Sequence, residues 1–225
     1  MNKPIKVLLI EDEPLTIGVY ERALNATSSL NGNLKFSIDS ANNCDKAMAK
    51  LNMAETNGGI DLVFLDMRLP PSKDGKILSG EDLGIKIRSL FKDVKILVCT
   101  TFSDCYKISS ILKNLNPDGF LVKNDLSFPI LVEAIGNVIL EPPYYSKTVM
   151  KIFRKQSTND FIIDNIDRKI LYELSNGTKM NELPGVLPLS IAALERRKRI
   201  LKDVFNVNGK GDRDLILLAQ EKGFI

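Results

Sequence analysis

Asp61-Leu62-Val63-Phe64-Leu65-Asp66 places four large apolar residues in a row and ends on a carboxylate. A short apolar run of this kind, bounded by polar residues, reads as a buried strand. Comparable runs lie on either side of it in the sequence. Val7-Leu8-Leu9-Ile10 leads into Glu11-Asp12, Ile96-Leu97-Val98-Cys99 into Thr100, and Gly119-Phe120-Leu121-Val122 into Lys123. In a parallel α/β sheet the carboxyl ends of the strands share one edge, where ligands bind, so these distant residues are expected to converge. The meeting point then holds three carboxylates, a hydroxyl and an ammonium.

Strand-like runs at residues 5–10, 34–39, 62–66, 95–100 and 119–122 alternate with amphipathic segments at 14–28, 42–54, 81–90, 104–115 and 127–140. Five strands alternating with five helices predict an α/β fold, a five-stranded doubly wound parallel sheet. Right-handed crossovers put helices on both faces. A turn-rich stretch, residues 68–80, separates the third strand from its helix. It reads either as a tolerated surface insertion or as a partner-specific loop beside the acidic site.

Three clustered carboxylates repel one another and call for a cation. All-oxygen ligation without soft donors favours Mg²⁺. At these residues the chain resembles the receiver domain of two-component response regulators, over residues 1–143. The resemblance implies a flavodoxin-like receiver in which Asp66 accepts a phosphoryl group from a histidine kinase. It further implies that Glu11, Asp12, Asp66 and the backbone carbonyl of Arg68 hold Mg²⁺, that Thr100 contacts the phosphoryl group, and that Lys123 pairs with it. Thr100 and Phe120 match the switch positions.

The 225 residues and 44% apolar content suit one large or two modest globular domains. Met1-Asn2-Lys3-Pro4 leads directly into a strand, and no apolar run approaches the roughly 20 residues that span a bilayer, so a cytoplasmic protein without membrane contact is expected. Cys44, Cys99 and Cys105 lack CxxC spacing and fit a reducing compartment. Histidine is absent, which excludes a Ser-His-Asp triad and His-ligated zinc, and requires any phosphohistidine donor to be another protein.

The net charge of +3 is unevenly spread: residues 1–143 carry 16 Lys/Arg against 18 Asp/Glu, net −2, and residues 144–225 carry 15 against 10, net +5. The basic part is the candidate for contact with a polyanion. Residues 144–160 read as a short helix followed by a linker, Gln156-Ser157-Thr158-Asn159-Asp160, with a second domain over 161–225. There Asp164 is placed to cap a helix that Asn176-Gly177 stops, a short second helix is expected at 178–183, and Ser190 caps a third that reaches Phe205. Leu194, Leu201 and Phe205 turn inward, while Arg196-Arg197-Lys198-Arg199 masses outside.

This small all-α segment resembles the LuxR-type helix-turn-helix of NarL/FixJ response regulators. The resemblance implies double-stranded DNA as a partner, Lys179 on phosphate, and Glu195, Arg196, Arg197 and Arg199 on the DNA-facing side of a recognition helix. A final helix at 214–223 would serve a homodimer formed on phosphorylation. Pro184, the Gly209-Lys210-Gly211 expansion and Arg197 in place of a frequent histidine depart from the family pattern. The implied function is control of transcription, without turnover of an external substrate. Two rivals stand beside it: a phospho-regulated module acting through protein contacts alone, and a Mg²⁺-dependent aspartyl-phosphate phosphatase. The phosphatase needs a second acid two residues after the acceptor, where this chain has Arg68.

Overall fold

The computed structural model describes residues 3–155 and 163–225. The linker expected at 156–160 and the domain start expected at 161 lie outside the described residues. The first part runs β1 (Ile5–Ile10), α1 (Pro14–Leu30), β2 (Phe36–Ala41), α2 (Cys44–Thr56), β3 (Leu62–Leu65) and α3 (Gly80–Leu90). It continues with β4 (Lys95–Thr100), α4 (Cys105–Leu115), β5 (Gly119–Val122), α5 (Phe128–Leu140), β6 (Tyr144–Tyr145) and α6 (Lys147–Lys155). All pairs in the sheet are parallel, in the order β2-β1-β3-β4-β5-β6. The order reverses between β1 and β3, and a crevice opens at such a reversal.

Each face of the sheet buries its own apolar cluster. Leu8, Ile10, Val63, Leu65, Ile96 and Val98 pack on one side and Val7, Leu9, Leu62, Phe64, Leu97 and Cys99 on the other. Burial of each such side chain contributes about 1.5–3 kcal/mol. Continuous apolar strands are therefore what this position in the fold demands. Helix starts follow local chemistry. Asn43 Oδ1 accepts from Lys46 N at 2.9 Å, Asp104 Oδ1 accepts from the Tyr106 and Lys107 amides, and Pro14 opens α1.

The sheet differs from the sequence expectation by one strand. β6 continues the parallel ladder, with Tyr144 N donating to Asp118 O at 3.0 Å and Ser146 N to Phe120 O at 2.9 Å. Pro142-Pro143 reads as a break in the sequence, yet only the residues after it supply ladder amides. Asp125 holds the segment by accepting from Ser146 Oγ, Thr148 N and Thr148 Oγ1. The 68–80 stretch is tied to the α2 side of the domain: Cys44 Sγ donates to Pro70 O at 3.3 Å and Lys73 N to Asp45 Oδ1 at 3.3 Å.

The second part comprises α7 (Asn165–Ser175), α8 (Ile191–Val204) and α9 (Asp212–Glu221) around a third cluster that includes Ile170, Leu171, Leu194, Leu201, Phe205 and Leu215. Asp164 and Asp167 form a reciprocal capping box at the start of α7, and Ser190 caps α8 through Ala193 N at 3.4 Å. The second helix expected at 178–183 is not formed. Turns occupy this stretch and end in one 3-10 turn at Leu183–Gly185. Pro184 donates no amide and Gly185 disfavours helix, so a short segment cannot repay helix nucleation. The final helix begins at Asp212, two residues ahead of the expected 214. No described helix is long and apolar enough to cross a membrane.

Candidate functional site

Strand register brings the acids together. Ile10 pairs with Leu65 across β1 and β3, so the residues that follow, Glu11 and Asp66, leave the sheet side by side. One oxygen from each of Glu11, Asp12 and Asp66 lies within 4.8 Å of the others. Glu11 and Asp66 are buried and Asp12 is exposed, so the cluster opens to solvent on one side only. Lys123, at the end of β5, donates to Glu11 Oε2 at 2.8 Å and to Asp66 Oδ2 at 2.9 Å. The Arg68 amide donates to the second Asp66 oxygen at 3.0 Å.

Asp66 is therefore held by both oxygens. Glu11 is not: its Oε1 is buried and has no hydrogen-bond partner. A buried carboxylate oxygen left in this way carries a desolvation penalty that a cation would relieve. Burial, opposed by the Lys123 hydrogen bond and reinforced by the charge on Asp66, pushes the Glu11 carboxyl up to about 7. Burial alone would pull the Lys123 ammonium down, but its bonds to Asp66 and Glu11 outweigh this and raise it. The acidic cluster is thus short of positive charge even with the lysine in place.

Thr100 ends β4 fully buried, and its Oγ1 accepts from Phe102 N at 3.2 Å. Phe120 is also fully buried, inside the cluster between the sheet and α4. Two residues absent from the sequence reading belong to the site's frame. Tyr20, on α1, points its hydroxyl at Glu11 Oε2 at 3.4 Å and sets its ring 5.1 Å from Phe64. An aromatic on a helix face otherwise reads as plain core. Gly80, at the start of α3, approaches so closely that a Cβ there would lie 1.9 Å from the Asp66 carbonyl oxygen. The spacing from Asp66 hides this contact, because the 68–80 loop intervenes.

In the second part, Glu195, Arg196 and Arg199 are exposed on α8, and Lys179 is exposed in the turn before it. Arg197 departs from the expected DNA-facing set. Its Nη1 bonds Asp164 Oδ2 and Asp167 Oδ1, each at 2.8 Å, and so ties α8 to the start of α7. It sits on the inner flank of the helix, where the capping box supplies two carboxylates.

No protein-family model matches the chain. Oxygen regulatory protein NreC of Staphylococcus carnosus is 25% identical over 161 residues, covering 67% of this chain and 71% of that protein. NreC of Staphylococcus epidermidis is 23% identical over 162 residues, covering 67% and 72%. RcsB of Salmonella enterica serovar Typhimurium, solved on the rprA promoter with the phosphomimetic BeF3⁻, superposes with a TM-score of 0.64 at 17% identity, covering 97% of this chain and 99% of RcsB. The chain is similar to these proteins, of which RcsB is a response regulator. The likeness to RcsB, at that identity, establishes a shared fold, a flavodoxin-like receiver followed by a helical domain. The acidic cluster of this chain lies at the carboxyl edge of its sheet, at the reversal of strand order.

Proposed function

We propose that this chain is a two-component response regulator that takes a phosphoryl group onto Asp66 from a histidine kinase and thereby controls DNA binding by its helical domain. The observation that carries the reading is the Asp66 carboxylate bridged to Lys123 at 2.9 Å beside two further acids, one with a buried oxygen lacking a partner. In the transfer an Asp66 oxygen attacks phosphorus in line. The P–N bond to the donor imidazole breaks, and its electron pair leaves on the nitrogen, giving an acyl phosphate and a free histidine on the kinase.

Glu11, Asp12, Asp66 and the Arg68 carbonyl would hold Mg²⁺. The ion supplies charge neutralisation for the transferring oxygens when bound. Lys123 already stands between Glu11 and Asp66 and provides the second positive charge. The Arg68 amide fixes one Asp66 oxygen and so orients the carboxylate. Thr100 Oγ1 accepts from Phe102, which leaves its hydroxyl proton available for a phosphoryl oxygen. Thr100 and Phe120 then act as the switch pair, since the modified side chain gains charge and acceptor oxygens that favour inward movement of the hydroxyl.

Arg196 and Arg199, exposed on α8, would read base edges, where a bidentate arginine–guanine pair is worth about 1–3 kcal/mol of discrimination. Glu195 accompanies them, and Lys179 grips phosphate. Arg197 serves the helix pair instead. A phosphorylated homodimer would place two α8 helices about 34 Å apart, matching one duplex turn and a two-fold related site. The test is DNA affinity across salt concentrations, on a sequence selected from the source genome, with and without Mg²⁺ and beryllium fluoride. Steep weakening with salt, loss on Arg196→Glu/Arg199→Glu and tightening with beryllium fluoride are expected. Affinity unchanged by the double reversal would turn the reading to a module acting through protein contacts alone.

A further inference from the structure

The helical domain rests on α3 and α4 of the receiver through a contact built largely of buried charge. Glu81, Lys107 and Arg168 are each at most 2% exposed. Glu81 Oε2 meets Lys107 Nζ at 3.2 Å and Arg168 Nη1 at 3.3 Å, and Arg168 Nη2 lies 2.8 Å from Asp82 Oδ1. Two acids and two cations thus neutralise one another across the boundary, although the Arg168–Asp82 approach lacks hydrogen-bond alignment and Arg168 Nε has no partner. Ser110 Oγ and Asn114 Nδ2 donate to Ile163 O at 2.7 and 3.2 Å, and Lys222 Nζ donates to Asp104 Oδ2 at 2.6 Å. Buried ion pairs return much of their Coulomb energy as desolvation, so on separation water replaces them at little net cost. Such a contact holds geometry without holding tightly.

Apolar side chains also cross this surface: Tyr106 of α4 packs against the core of the helical domain, and Phe102 does so from beside the switch. Phe102 follows β4 by two residues, in a loop, yet is only 6% exposed. Its amide is bonded to Thr100 Oγ1. The Arg68 guanidinium lies 4.8 Å from its ring centroid, on the residue whose amide holds Asp66. On the other side the ring is seated on the turn after α9: a Cβ at Gly223 would lie 2.1 Å from Phe102 Cε1 and 2.5 Å from Cζ. Gly223 has φ +72, which favours glycine independently. Lys107 Nζ sits 5.5 Å from the Phe102 centroid and 4.7 Å from that of Phe224. Phe102 therefore touches both arms of the acceptor site and the last turn of the helical domain, while Glu195, Arg196 and Arg199 on α8 stay exposed.

We propose that Phe102 is the coupling residue through which occupancy of Asp66 releases the helical domain at its α9 end. This rests on the phosphoryl-acceptor reading above and adds the route by which it is transmitted. Movement of Thr100 toward a phosphoryl group breaks its bond to the Phe102 amide and frees the loop, so that the ring leaves the Gly223 seat. The charged contact, close to balance, then opens. What is released is the docked domain, since the α8 cations are exposed before the switch.

The full chain tests this by small-angle X-ray scattering, with ¹⁹F NMR reporting bound beryllium fluoride. The docked protein should show a radius of gyration near the roughly 17 Å expected of one compact body of this length. It should expand on addition of Mg²⁺ and beryllium fluoride. Phe102→Ala should bind beryllium fluoride yet lose that response, scattering as the expanded form throughout. Gly223→Ala, which alters the seat from the far side and leaves the acceptor untouched, should do the same. Wild-type protein that binds beryllium fluoride and stays compact, or variants that expand on binding as wild type does, would overturn the coupling role and leave the acceptor reading standing. Failure of beryllium fluoride to bind wild-type protein at all would overturn both.

Discussion

Lys123→Met removes one positive charge from the acidic cluster while keeping most of its side-chain bulk. Glu11 and Asp66 are then left facing each other, both buried, with oxygens no more than 4.8 Å apart. Two unit charges at that distance repel by about 3.5 kcal/mol at an effective dielectric constant of 20. The protein avoids much of this by taking up a proton, and Glu11 is the group that takes it, being already pushed up to about 7 with the lysine present. An acid raised in the folded state contributes stability that is present below its unfolded value, 4.5, and lost as pH rises through the folded value. Without Mg²⁺, urea unfolding of the variant should therefore show a loss of about 3 kcal/mol at pH 8 that shrinks at pH 5.5. Mg²⁺ at about a hundred times its dissociation constant should restore about 2.7 kcal/mol at pH 8. A variant whose stability deficit is the same at both pH values, and indifferent to Mg²⁺, would refute the electrostatic account of the cluster.

Other consequences follow from packing. Gly80→Ala drives a Cβ to 1.9 Å from the Asp66 carbonyl oxygen, so the start of α3 or the acceptor itself must shift. A stability loss of about 2–3 kcal/mol by urea titration, with slower acyl-phosphate labelling, is the expected outcome. Leu201→Ala opens the core of the helical domain where Leu201 is fully buried, and should cost about 2–5 kcal/mol in that domain's transition while labelling of Asp66 persists.

The receiver half was legible because its chemistry is tied to strand ends, and parallel topology gathers strand ends regardless of sequence separation. Glu11, Asp66, Thr100 and Lys123 needed only the strand runs before them to be read. What stayed hidden depends on tertiary contact. Tyr144-Tyr145 follows two prolines and looks like a linker, but pairs with β5 because Asp118 and Phe120 offer free carbonyls. Thr178 to Leu183 carries helix-compatible residues, and the Pro184-Gly185 pair that stops them acts before a turn of helix can form. Arg197 is indistinguishable in sequence from its neighbours, and only the α7 capping box assigns it inward. Nothing in the sequence sets Glu81, Lys107 and Arg168 apart from the chain's other charged residues. Their burial requires all of them to meet across two separately folded cores, a condition no local pattern encodes.

The most direct test of the account is to incubate the full chain with acetyl phosphate and Mg²⁺, trap the product by borohydride reduction, and map the modified residue by peptide mass spectrometry. Modification at Asp66, dependent on Mg²⁺ and absent from Asp66→Asn, is the predicted result. Labelling that survives Asp66→Asn undiminished, or maps to another residue in the wild-type chain, would contradict it.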